Sequence, residues 1–194
     1  MPLSLSTTPR VLKHTRAISI AAFARDDGLW DFDAQITDTK TRDCKLASGM
    51  RMLGCPIHDL SLRVTIDTSF HVVDAVAVSD AVPYPGFCDT IGSDYKKLIG
   101  LNLLRQFRFG VNERMSGVKG CTHLNELAQL LPTAAIQAFA GDVLDTRDGG
   151  DDTESSEQPF QLNRCHALRL DGPAVAQYYP RWAKPTHFVK SSSE

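Results

Sequence analysis

The segment Gly120-Cys121-Thr122-His123-Leu124-Asn125-Glu126-Leu127 concentrates reactive side chains at one point of the chain. A helical pattern begins here, with Cys121 or Thr122 at its start. A thiol in that position faces unpaired backbone N–H groups and the positive end of the helix dipole, and both favour thiolate over thiol. His123 falls in the first turn and reaches the same space, and Glu126, three residues further on, shares its helix face. A thiolate beside an imidazole is either a ligand pair for a transition metal or a nucleophile with its base. The plain structural alternative is a small buried residue followed by a helix cap.

Other groups could contribute. Cys88 follows Tyr84-Pro85-Gly86-Phe87, between a predicted strand and the first predicted helix. His58-Asp59, preceded by Cys55-Pro56, opens a strand and offers an imidazole and a carboxylate. Asp59 reads first as a turn cap at the strand entry. Cys165-His166 lies far along the chain, and its spacing from the rest carries no information. The leading expectation is a metal- or thiolate-centred site with Cys88, Cys121 and His123 as direct ligands and Asp59 or His58 completing the set. Such donors suit zinc or iron, iron–sulfur included, with zinc favoured where sulfur dominates. Glu126 would then carry a proton to or from a bound water.

Two alternatives stay open. In a metal-free enzyme Cys121 would be the nucleophile and His123 its base, for acyl transfer or hydrolysis of a small molecule. In an accessory protein the acidic stretch and aromatic tail described below would dock a partner enzyme. No phosphate-binding loop, dinucleotide fingerprint, Gly-x-Ser-x-Gly, His-Glu-x-x-His or Cys-x-x-Cys is present.

The elements that must position these residues are legible from periodicity. Ile18, Ile20 and Ala22 alternate with other residues, Asp26-Asp27-Gly28 supplies a turn, and Trp30, Phe32, Ala34 and Ile36 alternate again. This predicts an antiparallel hairpin. Residues 38–54 are polar and read as a mobile loop. Leu60, Leu62, Val64 and Ile66, a turn at Asp67-Thr68-Ser69, and a return strand from His71 to Ser79 predict a second hairpin. His71 reads as a surface residue. Leu104, Phe107, Val111 and Met115 form a helical stripe, capped by Asn102 and ended by Gly117. Leu124, Leu127, Leu131, Ala135 and Phe139 form a second stripe, ended by Gly141, and Pro132 inside it predicts a kink near Ala128. The fold class is therefore α+β: an antiparallel sheet of two hairpins followed by packed helices.

Composition sets the outer bounds. The 194 residues suffice for one domain with a real core, 42% are hydrophobic and 23% are charged. The net charge of −2 hides a local excess, because residues 142–157 hold seven acids and one base. Without that stretch 20 basic residues face 16 acidic ones, a net of +4, which suits a small anion and falls short of a nucleic-acid stripe. No apolar run has the length of a membrane span. Residues 1–16 read as a flexible leader without an export pattern, and five cysteines, an odd count, then point to reduced thiols and a cytoplasmic protein. Residues 17–141 form the expected single α+β domain, 142–158 an acidic linker, and 159–194 a tail that packs back on the domain. No partner beyond a small molecule or an enzyme is implied, and the oligomeric state is open.

The run from Arg16 to Trp182 resembles an uncharacterised bacterial family, domain-of-unknown-function family 2889. The likeness rests on Asp27-Gly28-Leu29-Trp30-Asp31, Pro56-Ile57-His58-Asp59-Leu60, Pro83-Tyr84, Leu98-Ile99-Gly100-Leu101, Gly120-Cys121-Thr122-His123-Leu124 and Cys165-His166-Ala167. It implies no established activity. More distantly, the order of elements resembles the iron–sulfur scaffold proteins of the NifU/IscU type. In that likeness Leu62 to Ala75 is the central hairpin, Cys88 falls near the second cysteine, and Cys121-Thr122-His123-Leu124 matches the His/Cys segment in reversed order. Only Cys55 or His58-Asp59 stands where the first cysteine would be, and the helix after Cys88 lacks the run of small residues. A mononuclear metal or thiolate site follows from the likeness more readily than cluster assembly.

Overall fold

A computed structural model describes residues 3–146 and 157–185. The chain divides into two compact units, Met1–Ala138 and Phe139–Glu194. The first unit is α+β. Strands β1 (His14–Ala24) and β2 (Trp30–Lys40) form the first hairpin, and β5 (His58–Ile66) and β6 (Val72–Ala81) form the second. They join into one antiparallel sheet of order β1-β2-β5-β6. The first turn closes where expected: Gly28 takes φ +81°, its N–H donates to the Arg25 carbonyl, and Asp27 Oδ1 accepts from Leu29 N–H.

Period-two alternation decides which face is buried. Phe32, Ala34 and Ile36 on β2 and Leu60, Leu62, Val64 and Ile66 on β5 are at most 1% exposed. The opposite face carries polar pairs, Arg63 with Asp33 and Gln35 with Asp59, at 2.6–2.8 Å. Strand β1 follows the same alternation but lies at the sheet edge, and Ile18 stays 38% exposed.

Residues 38–54 are more ordered than a loop. β2 runs on to Lys40, and a small hairpin of β3 (Cys44–Leu46) and β4 (Gly49–Arg51) follows. Ser48 Oγ donates to the Pro83 carbonyl and Arg51 Nη2 to the Val82 carbonyl. These backbone acceptors lie 31–35 residues away, which local polarity could not reveal.

After β6 the chain passes through short 3-10 turns at Cys88–Thr90 and Gly92–Leu98. Helix α1 covers Phe107–Met115, and α2 covers Thr122–Phe139 with Pro132 inside it. Phe107, Val111 and Met115 on α1, and Leu124, Leu127 and Leu131 on α2, are at most 2% exposed, as the stripes predict. The start of α1 differs from expectation. Gln106 precedes it in the left-handed region at φ +51°, and Leu104 is 47% exposed. Asn102 instead closes a turn, its Oδ1 accepting from Leu104 N–H and its Nδ2 donating to the Ser69 carbonyl.

The second unit contains α3 (Pro173–Tyr178) and a 3-10 turn at Pro180–Trp182. Val175 and Leu162 are buried, and the Tyr179 hydroxyl joins Gln161 Nε2 and the Thr146 carbonyl. Most of the predicted acidic linker, residues 147–156, and the end of the tail, 186–194, lie outside the described residues. No helix among the described residues is long and apolar enough to cross a membrane.

Candidate functional site

One end of the buried sheet face turns polar. In the direct antiparallel register Arg16 of β1 pairs with Asp38 of β2, and Asp38 pairs with His58 of β5. All three are in phase with the core residues of their strands, so their side chains extend the buried face. Asp38 is 3% exposed. Its Oδ1 accepts from His14 Nε2 and Arg16 Nε, both at 2.9 Å. Its Oδ2 accepts from Arg16 Nη2 at 2.8 Å and His58 Nδ1 at 3.1 Å. The forked Arg16 bond, with help from His14, outweighs the cost of burial and holds the Asp38 carboxyl down to about 2.

Helix α2 brings the second half of the site. His123 packs against His58 with ring centroids 3.9 Å apart and the rings tilted by 35°, and its Nε2 lies 3.8 Å from Asp38 Oδ2. Its Nδ1 is 3.9 Å from Cys121 Sγ. Burial lowers the basicity of both rings, and for His123 the neighbouring His58 and Arg16 lower it further. Glu126, one turn along, accepts from Arg16 Nη1 at 2.7 Å, so a single guanidinium bonds both carboxylates.

The start of α2 is held by a buried network. Tyr95 is fully buried; its hydroxyl sits 2.7 Å from Asn125 Oδ1 and 3.0 Å from the Cys121 carbonyl, and accepts from Cys121 N–H at 3.1 Å. Asn125 Nδ2 donates to the Met115 carbonyl at 2.6 Å, tying α2 to the end of α1. Gly120 passes so close that a Cβ there would overlap the Met115 carbonyl oxygen. Replacing Gly120 with Ala is therefore expected to cost about 1–3 kcal/mol by overpacking. Urea unfolding of the variant checks this, and an unchanged midpoint would refute it.

The structure brings together four of the expected residues. His58, Cys88, Cys121 and His123 line one cavity of about 360 Å³ beside the imidazole pair. The ligand geometry nevertheless centres elsewhere than on the cysteines. Asp38, His58 and His123 each offer a ligand atom, and these atoms lie within 4.8 Å of one another. Asp59 is placed on the opposite sheet face, where its Oδ1 accepts from Gln35 Nε2. Glu126 is engaged by Arg16. Cys55 is exposed, and Cys165-His166 belongs to the second unit. A larger hollow of about 510 Å³ lies on the outer sheet face, around Phe23, Asp33, Arg63 and Val76, and holds no imidazole or thiol.

Asp38, Arg16, His14 and Tyr95 were not singled out by sequence. For Asp38 a signal existed: it continues the run Phe32, Ala34, Ile36 in phase, and a carboxylate at a core-facing position needs a partner. Arg16 and His14 likewise continue the phase of Ile18 and Ile20.

No curated protein and no solved structure matches this chain. Nothing in these comparisons supports the NifU/IscU likeness. The model of the family described as "Protein of unknown function (DUF2889)" matches residues 14–137, which include Asp38, His58, Cys88, Cys121 and His123. The chain belongs to that family.

Proposed function

We propose that Asp38, His58 and His123 form a mononuclear divalent-metal centre, and that the protein is a metal-dependent enzyme acting on a small molecule in the adjoining cavity. One observation carries this reading. Asp38 Oδ2 lies 3.1 Å from His58 Nδ1 and 3.8 Å from His123 Nε2. Ligands at ordinary zinc or iron bond lengths stand about 3.3 Å apart along a tetrahedral edge, and the two distances bracket that spacing. Two imidazoles and one carboxylate suit zinc or ferrous iron with open positions for water or substrate.

The surrounding groups support it. Burial favours neutral imidazoles, the form that ligates. A cation at Oδ2 would replace the proton now shared with His58, leaving Arg16 to hold the carboxylate in place. Cys121, beside His123 Nδ1, would orient that ring with its other nitrogen toward Asp38. A divalent ion would supply Lewis acidity and lower the pKa of a bound water.

Zinc titration of the metal-free protein, followed by calorimetry, tests this. The expected result is one site per chain, with affinity reduced about 100-fold or more in His58→Ala and in His123→Ala. Unchanged binding in both variants would sink the assignment. Cys121→Ser is expected to weaken binding by about 10-fold, as loss of an orienting partner does.

The contact between Cys121 and His123 favours a second reading, a thiol nucleophile with its base. Stoichiometric carboxymethylation of Cys121 at neutral pH, abolished in His123→Ala while zinc binding is absent, would favour it over the metal centre.

A further inference from the structure

The cavity beside the imidazole pair has a definite chemical character. Its apolar wall is Leu60, Val82, Pro83 and Ile91, and its rim carries Tyr84 and Phe87, which are 51% and 80% exposed. The two histidines and the thiols of Cys88 and Cys121 supply its polar end. Among the described residues no Asp, Glu, Lys or Arg lines it. Two guanidinium groups lie close by: Arg16 is engaged on three nitrogens, Nε and Nη2 by Asp38 and Nη1 by Glu126, at 2.7–2.9 Å, and Arg51 donates Nη2 to the carbonyl of the wall residue Val82 from outside the lining. The cavity of the metal-free chain therefore offers an anion no lining counter-charge. The mild basic excess of the sequence does not reach this cavity.

A ligand entering here exchanges water for carbon, sulfur and ring faces. In the metal-free chain an ionised carboxylate or phosphate would lose hydration with no lining counter-charge in return. A flat apolar body would lie against Pro83, Tyr84 and Phe87, where aromatic faces favour offset stacking. A single neutral oxygen could then reach the imidazole nitrogens. The volume of about 360 Å³ lies at the small end of ligand pockets, which run from about 300 to 1,000 Å³.

We propose that this cavity takes an uncharged aromatic alcohol or carbonyl compound, with its ring on the Pro83, Tyr84 and Phe87 side and its oxygen at His58 and His123. The placement of the oxygen rests on reading the imidazole pair as the reactive centre. The placement of the ring rests on the cavity wall alone.

Two probes of the same shape separate the possibilities. 4-Ethylphenol is neutral at pH 7, whereas 4-ethylbenzoate is an anion. Calorimetry with the metal-free and the zinc-loaded full-length chain measures binding, and methyl and imidazole NMR signals locate it. The expected result is that the metal-free chain binds 4-ethylphenol at least about 10-fold tighter than 4-ethylbenzoate, because the carboxylate is desolvated unpaired, and that zinc narrows this preference by giving the carboxylate a partner. Signals of Ile91, Val82, His58 and His123 should shift. Cys88→Phe, which fills the cavity, should abolish binding with the circular dichroism spectrum unchanged. Phe87→Arg places a cation on an exposed rim position without touching the core, and should bring the preference for the phenol down by about 10-fold.

Equal or tighter binding of 4-ethylbenzoate by the metal-free, unsubstituted chain would overturn the proposal. So would the absence of 4-ethylphenol binding, or binding indifferent to both variants. Phenol binding to a protein that takes up no zinc would uphold the cavity assignment while removing the metal centre. Zinc uptake without phenol binding would remove the cavity assignment alone.

Discussion

Replacing Asp38 with Asn is expected to lower stability by about 2–4 kcal/mol and to weaken zinc binding by about 100-fold or more. The substitution preserves shape, so the loss is electrostatic and directional. Asp38 is buried and accepts four hydrogen bonds, from His14, His58 and two nitrogens of Arg16. An amide has one acceptor oxygen and turns an NH2 group toward donors. Arg16 loses its forked partner, although Glu126 and solvent still receive it. Urea unfolding at pH 7 measures the stability change, and a loss below about 0.5 kcal/mol would show that the network contributes little net stability.

The same carboxylate sets an acid limit. Its folded-state pKa, at about 2, lies below the ordinary value of 3.8. The unfolded chain thus binds a proton first, so Asp38 contributes stability fully above pH 4 or so and loses it as pH falls toward about 2. His58 and His123 act in the same direction at higher pH. Their folded values lie below 6.5, so their share is present above 6.5 and declines as pH falls through the folded values. Acid unfolding of the parent protein should therefore begin with the histidines and finish with Asp38. In Asp38→Asn the lower step should shrink.

Replacing Tyr95 with Phe is expected to cost about 2–3 kcal/mol. This corresponds to a fall in melting temperature of roughly 5–10 °C for a chain of this size. Nothing apolar is removed, and the ring still fills its place. What is lost is one hydroxyl that serves Asn125 Oδ1, Cys121 N–H and the Cys121 carbonyl. Burial pushes the Tyr95 phenol upward, so it stays neutral and remains a donor. Without it a buried amide N–H and a side-chain carbonyl are left facing a methine. Calorimetry measures the melting shift. Hydrogen exchange at the Cys121 amide separates this local effect from a general loosening, because it should accelerate more than amides in the middle of α2. Equal acceleration everywhere would contradict the network's role as the anchor of α2.

The α+β class, the two hairpins and both helix stripes followed from periodicity in the chain. A residue's phase along a strand is a local property, and Phe32, Ala34 and Ile36 show it plainly. The reactive segment Cys121-Thr122-His123 was legible for the same reason, since a helix start is recognisable from its own neighbours. Partnership was decided only by tertiary structure. His58 and Asp59 are adjacent in sequence, yet a strand sends them to opposite faces, so only His58 meets His123. The carboxylate that completes the cluster, Asp38, lies 20 residues before His58 and 85 before His123. Register places it opposite Arg16 and His58, and no local pattern carries register between strands. Tyr95 lies 26 residues before Cys121, and its hydroxyl acquires meaning only once α2 begins beside it. The amino-acid sequence by itself determined which residues face inward; the packing of sheet against helix decided which of the inward polar residues meet, because hydrogen bonds and charge act over a few ångströms in space whatever their distance along the chain.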